Sequence, residues 1–151
     1  MATAEIFNQL KDDHDRHRTL LARIDETRSD GEERRTLFEA FRVEVTAHAA
    51  AEEESLYATM LANPDLREDA QHSVSEHKEI DDYLEELAGM DFASSDWLTR
   101  FRALRERYEH HIDEEEEEMF PDAAKDLSDA ELARLAEVFK RRKPAELARA
   151  Q

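Results

Sequence analysis

"HHIDEEEEEMFP", His110–Pro121, sets two histidines before five consecutive glutamates and closes on a hydrophobic pair and a proline. Sixty-three residues earlier stands "HAAAEEESLY", His48–Tyr57, in the same frame: His48 matches His111, Glu52 matches Glu115, Leu56 matches Met119 and Tyr57 matches Phe120. The offset recurs between His14 and His77, and it pairs Phe38 with Phe101, Phe41 with Leu104, Val45 with Tyr108 and Leu21 with Leu84. One pair of helices is therefore used twice.

Composition agrees that the elements are helices. The 151 residues contain only 2 Gly and 3 Pro, so turns are few and the elements long. Ala, Leu, Glu and Arg dominate, while the β-branched residues that favour strands are sparse. A chain of this length suits one domain with a real core. The expected fold is all-α, an antiparallel up-down-up-down four-helix bundle built from the duplicated pair.

Periodicity places the rods. The first runs from about Thr3 to Thr27, with Ile6, Phe7, Leu10, Leu20, Leu21 and Ile24 on one face. "RSDGEE", Arg28–Glu33, is the turn, where Gly31 is free to take a left-handed conformation. The second runs to about Ala62 through Phe38, Phe41, Val45, Leu56 and Leu61, until Asn63–Pro64 stops it and starts the third. That rod carries Val74, Ile80, Tyr83, Leu84 and Leu87 to about Ala88. Ser94 or Ser95 caps the fourth, which holds Trp97, Phe101, Leu104, Tyr108 and Ile112 and is closed by Pro121. "SDAE", Ser128–Glu131, reads as a capping box opening a short fifth helix, and "KPAELARA" adds a last turn or two. The expected division is a bundle over residues 1–122 and a helical tail, 123–151, packed against it.

Charge and composition exclude several function classes. The formal net charge of −18 repels phosphate backbones, which argues against nucleic-acid binding. The one basic cluster, "KRRK" at Lys140–Lys143, reads as favourable charge at a helix C-terminus. With no cysteine, disulfides, thiolate metal sites and cysteine nucleophiles are ruled out. No membrane-spanning apolar run and no signal-peptide core are visible, so the expected location is cytoplasmic.

The repeated polar residues carry the chemistry. Residues four apart on a helix lie about 40° from each other, one turn apart. His48 with Glu52 and His111 with Glu115 can thus reach a common centre, and both pairs share the apolar face that lines the core. His14 and His77 add one imidazole each. Four imidazoles and two carboxylates buried without partners would be costly; a pair of metal ions resolves the cost, with imidazoles terminal and carboxylates bridging. Donors of this type without thiolate suit iron, manganese or zinc. Taken singly, His14 reads as a core histidine satisfied by a hydrogen bond, and an HxxxE pair on an acidic helix as a solvated face. Six residues in one duplicated frame favour the metal reading.

The remaining polar residues divide by frame. His17, His72 and His110 fall outside it and are expected to be exposed or to support the ligands from behind. His110 with Glu114 forms a competing pair, rotated about 100° from the core face. Glu114, Glu116 and Glu117 read as solvated, and Glu118 stays open. Glu53 and Glu116, each beside a proposed ligand, are also placed to orient imidazoles.

"DHDRH" (Asp13–His17), "HAAAEEESLY", "EHKEI" (Glu76–Ile80) and "HIDEEEEEMFP" together resemble the HHE cation-binding branch of the haemerythrin-like family, over about Ile6–Pro121. The resemblance implies a non-haem di-iron centre with an oxo or hydroxo bridge, ligated by His14, His48, His77 and His111 and bridged by Glu52 and Glu115. Oxygen-carrying haemerythrins have a further histidine one turn from the third-helix ligand. Here Ser73 and Asp81 occupy those positions, and whether His72 or Asp81 completes the coordination is left open. Fewer nitrogen donors point away from reversible oxygen carriage.

The expected function is a di-iron protein that binds or reacts with dioxygen, peroxide or nitric oxide, in detoxification, buffering or sensing. Catalase-like peroxide disproportionation is its enzymatic form. The alternative is a metal-stapled, iron-sensing module acting through a protein partner. A monomer or weak oligomer is expected.

Overall fold

The computed structural model describes residues 3–28 and 31–151. Its helices are α1 (Glu5–Asp25), α2 (Glu32–Glu52), α3 (Ala58–Ala62), α4 (Arg67–Ala88), α5 (Ser95–Glu114), α6 (Phe120–Asp126) and α7 (Asp129–Ala150). A π-helical turn, Glu53–Tyr57, joins α2 to α3, and a second, Glu115–Met119, joins α5 to α6. Each of these pairs is one continuous rod. No strand occurs among the described residues, and none of the described helices is long and apolar enough to cross a membrane.

Side-chain pairs give the directions of the rods. Asp13 meets His48 and Arg16 meets Glu44, so α1 and α2 are antiparallel. Arg18 with Asp113 and Asp25 with Arg102 do the same for α1 and α5, as do Glu76 with His111 and Glu86 with Arg100 for α4 and α5. α7 lies along α1 and α2 as a fifth rod.

The core is divided. One apolar cluster holds Ile6, Leu10, Leu56, Met60, Phe120 and Phe139; the other holds Leu21, Phe38, Phe41, Leu84, Trp97 and Phe101. Between them lies a layer of buried polar residues that includes His14, His48, Glu52, His77, His111 and Glu115. This layer has the apolar clusters above and below it, so its charges are poorly hydrated.

Local signals fixed most ends. Ser94 caps α5 by accepting from the Trp97 amide at 3.2 Å, and Ser128 with Glu131 forms the expected capping box. Gly31 has φ 74° and caps α2; Ser29 and Asp30 of the same turn lie outside the described residues. Other expectations need correction. α4 begins at Arg67 rather than at Pro64, which sits in the preceding turn. Pro121 does not close its rod: it follows the π turn inside the continuous α5–α6 rod, on the exposed face, where water replaces the lost N–H bond. Leu61 is 36% exposed instead of core, because the π turn ahead of it shifts the helical face.

The fifth helix is not short. α7 is as long as α4, at 22 residues, and passes straight through Pro144. Pro144 and Lys140, whose carbonyl loses its donor, both lie on the exposed face, where water replaces the lost bond. Lys140–Lys143 therefore sits inside the helix and not at its C-terminus, and Lys143 is buried against Asp13.

Arg34 is a tie that periodicity did not suggest. Its buried guanidinium donates to the Thr27 hydroxyl and carbonyl and to the Phe92 carbonyl, and it lies over Trp97. It thus joins the end of α1 to the connection before α5. Arg34→Met is expected to lower stability by about 3 kcal/mol, since it strands buried acceptors. Chemical denaturation measures it; an unchanged midpoint would refute the role.

Candidate metal centre

The six duplicated residues converge. Glu52 Oε1 stands 3.6 Å from His48 Nε2 and 3.3 Å from His77 Nε2. Glu115 Oε1 stands 2.8 Å from His111 Nε2 and 3.8 Å from His14 Nε2. Each carboxylate therefore faces the imidazole one turn before it and a second imidazole from another rod. Among the described residues, two fully buried groups of donors are compact enough to hold a cation: Glu52, His77, His111 and Glu115, and His14, His48 and Glu52. Glu52 belongs to both, as a bridging carboxylate would.

Behind each imidazole the pattern is repeated. His48 Nδ1 is 2.8 Å from Asp13 Oδ2, and His111 Nδ1 is 2.9 Å from Glu76 Oε1. His14 Nδ1 is 2.7 Å from Glu116 Oε2, and His77 Nδ1 lies 3.6 Å from Glu53 Oε2. A carboxylate at Nδ1 fixes the ring so that its Nε2 lone pair faces inward, the usual support of a metal-binding histidine. Glu116 was expected chiefly in solvent and instead orients His14; Glu53 stands too far for a hydrogen bond. Asp13 and Glu76 were not picked out, although they too are 63 residues apart and directly precede the two histidines.

Basic groups stand behind these carboxylates. Lys143 Nζ reaches Asp13 at 2.7 Å, Arg18 reaches Glu116 at 3.0 Å and Arg107 lies 3.5 Å from Glu76. Burial alone would raise the Asp13 carboxyl, but His48 and Lys143 outweigh it and hold it well below the ordinary range. Glu76 and Glu116 are likewise pushed up by burial and pulled down further, by His111 and by His14 with Arg18.

The centre itself is electrostatically unsettled. Burial, then the nearby Glu115, raises Glu52 well above its usual range. Burial acts on Glu115 too, yet His111 and the hydrogen bonds it receives pull it well below. His111 is drawn up to about 9 by Glu115 and Glu76 against the opposing effect of burial, while burial drives His48 down to about 3 against Asp13. His14 Nε2, His48 Nε2, both Glu52 oxygens and Glu115 Oε1 are buried with no hydrogen-bond partner. Those atoms are the ones that face the middle, and cations placed there would satisfy them. The residues present fit a metal pair.

Tyrosines and the π turns complete the layer. In an α-helix Tyr57, five residues after Glu52, would point about 140° away; a π turn takes about one more residue per turn and brings it back. Its hydroxyl donates to Glu115 Oε2 at 2.9 Å and its ring stacks on His77. Phe120, the matching residue, stacks on His14 without a hydroxyl to offer. His17 is fully buried and not exposed: its Nδ1 is 2.7 Å from the Tyr108 hydroxyl. The matching positions are Ile80 and Val45, so this polar pair exists on one side only.

The two candidates for a further ligand stand apart from the central groups. His72 is 55% exposed and faces Glu76 and Glu114, and Asp81 is exposed at the mouth of a small cavity; neither belongs to the two central groups. His110, Glu117 and Glu118 are exposed, as expected of His110 and Glu117.

The comparisons accord with this geometry. A family model described as the Hemerythrin HHE cation binding domain matches residues 5–123. A crystal structure of a hemerythrin HHE cation binding domain-containing protein from Mycobacterium kansasii is similar, with TM-score 0.83 and 25% identity over 99% of this chain and 90% of that one. No curated protein matched.

Proposed function

Because the chain belongs to the haemerythrin HHE cation-binding family, we propose that His14, His48, Glu52, His77, His111 and Glu115 hold two metal ions, iron foremost, and that the centre reacts with dioxygen, peroxide or nitric oxide. The observation that carries this reading is the set of buried, unpartnered nitrogen and oxygen atoms facing one another. When bound, a redox-active pair supplies Lewis acidity and electron exchange to a small oxidant.

The chain's own residues do the rest. Glu52 serves both positions, and Asp13, Glu76 and Glu116 hold three imidazoles in the donating orientation. Tyr57 holds a proton against Glu115, and Tyr108 shares one with His17. A cavity of about 10 Å³ beside His48 and His77, walled by Val45, Ile80 and Tyr108, is water-sized. On this side of the centre that size admits only a diatomic or a peroxide. The centre belongs to the bundle of residues 1–122, with 123–151 as a tail packed on it.

The test is elemental analysis of untagged protein expressed with added iron, followed by an oxygen-electrode assay with peroxide. Two irons per chain and oxygen evolution above a Glu115→Ala control are the expected results. Absence of iron, or a single zinc, would overturn the di-iron reading. Iron without oxygen evolution would remove the peroxide reaction alone.

A further inference from the structure

Two cavities reach the six central donors. The water-sized one is walled largely by apolar groups and is too small for a hydrated cation. The other is a cleft of about 310 Å³ between α4 and the α5–α6 rod. Its rim carries His72 and Glu114, and its floor is formed by His111 and Glu115. Carboxylates crowd its walls, and no lysine or arginine lines it. On the opposite side of the centre, Phe120 covers His14 and Phe139 of α7 covers His48.

Within this cleft His72 Nε2 lies 3.4 Å from both Glu76 Oε1 and Glu114 Oε1, and the three could hold a cation. Such acidic groupings are common on surfaces. This one differs because a buried carboxylate oxygen without a hydrogen bond lies at its inner end: Glu115 is 1% exposed, and its Oε1, beside His111 Nε2 at 2.8 Å, accepts no aligned hydrogen bond. Glu76 stands between the two levels, with the same oxygen 2.9 Å from His111 Nδ1. Farther along the wall burial, and then the neighbouring Asp122, raise the Asp69 carboxyl, a sign of negative charge without a counter-charge.

We infer that this cleft is the loading port of the buried centre, and that His72, Glu76 and Glu114 form an outer, exchangeable site for divalent transition-metal cations on their way to Glu115. The inference rests on the dinuclear reading above. Carboxylate walls concentrate cations and speed their capture. The single imidazole favours transition ions over magnesium or calcium. One exposed imidazole, one partly exposed carboxylate and one buried carboxylate step the ion from water towards the interior, and the open His72 end lets it exchange.

Cobalt(II) uptake by the full-length, metal-free protein, followed by stopped-flow absorption, tests the port. His72→Ala/Glu114→Gln alters two rim residues and none of the six central donors. The expected result is loading slowed about ten-fold or more, with the same cobalt retained after desalting. A rapidly exchanging cobalt seen by equilibrium titration of the wild type should be missing in the variant. Glu68→Gln/Glu118→Gln, which changes only rim charge, should slow loading less, and added salt should slow the wild type more than either variant. Equal loading rates in wild type and both variants would overturn the port while leaving the centre intact. An outer cobalt that survives desalting without affecting the rate would make the cluster a static third site and also overturn it. A wild type that retains no cobalt would overturn the dinuclear reading and the port together.

Discussion

Glu52→Gln is expected to abolish retention of both metal ions, whereas His14→Ala should lose one. Glu52 is the residue common to both donor groups, and an amide cannot bridge two cations as a carboxylate does. Binding at a thousand-fold excess over Kd stabilises a fold by about 4 kcal/mol per site. For a chain of this size that is roughly 8–16 °C in Tm. Adding iron(II) anaerobically should therefore raise the wild-type Tm by at least that amount and leave Glu52→Gln unmoved. In metal-free protein the sign should reverse. Burial and Glu115 both work against a charged Glu52, so the neutral variant should be at least as stable as the wild type. A metal-free variant that melts markedly lower, or one that still gains stability from iron, would refute the bridging role.

The metal-free protein should be most stable near pH 6.5 and weaken on both sides. His111 is raised from 6.5 to about 9 in the fold. Its contribution is complete below pH 6.5 and is lost as pH rises towards 9, on the order of 3 kcal/mol in all. His48 is lowered from 6.5 to about 3. The unfolded chain then binds the extra proton, so stability present above pH 6.5 is lost as pH falls towards 3. Bound metal should flatten the alkaline limb, because the ions replace the proton on His111. Uptake at neutral pH should release protons into weakly buffered solution. Melting curves from pH 4 to 9, with and without metal, measure both effects. A metal-free Tm that climbs steadily from pH 6.5 to 9 would contradict the role assigned to His111.

The duplicated frame made the buried His/Glu cluster legible, because covalent spacing and helical pitch together put His48 over Glu52 and His111 over Glu115. The same frame contained Asp13 and Glu76, and there the signal went unread: an acidic residue beside a histidine in so acidic a chain looks like surface. Tyr57 was hidden for a different reason. Its place depends on a π turn, and a calculation at a fixed angle per residue sends it elsewhere. His17 has no imidazole counterpart, since Ile80 occupies the matching position. The length of α7 was obscured by Pro144, which ends a helix only where the orphaned carbonyl cannot reach water. Capping chemistry at Ser94 and Ser128 is local, and those ends were read correctly.

Lys143 makes the molecule lopsided. The two halves of the centre follow one template, yet α7 lies along only one flank and sets a buried ammonium behind the Asp13–His48 pair. Its counterpart, Arg107, stands at 3.5 Å from Glu76 and is partly open to solvent. Twin cradles of near-identical design therefore sit in unequal fields. An occupant of the His14–His48 side feels a fixed positive neighbour that the His77–His111 side meets only at longer range and through water, so sequence symmetry does not become chemical equivalence.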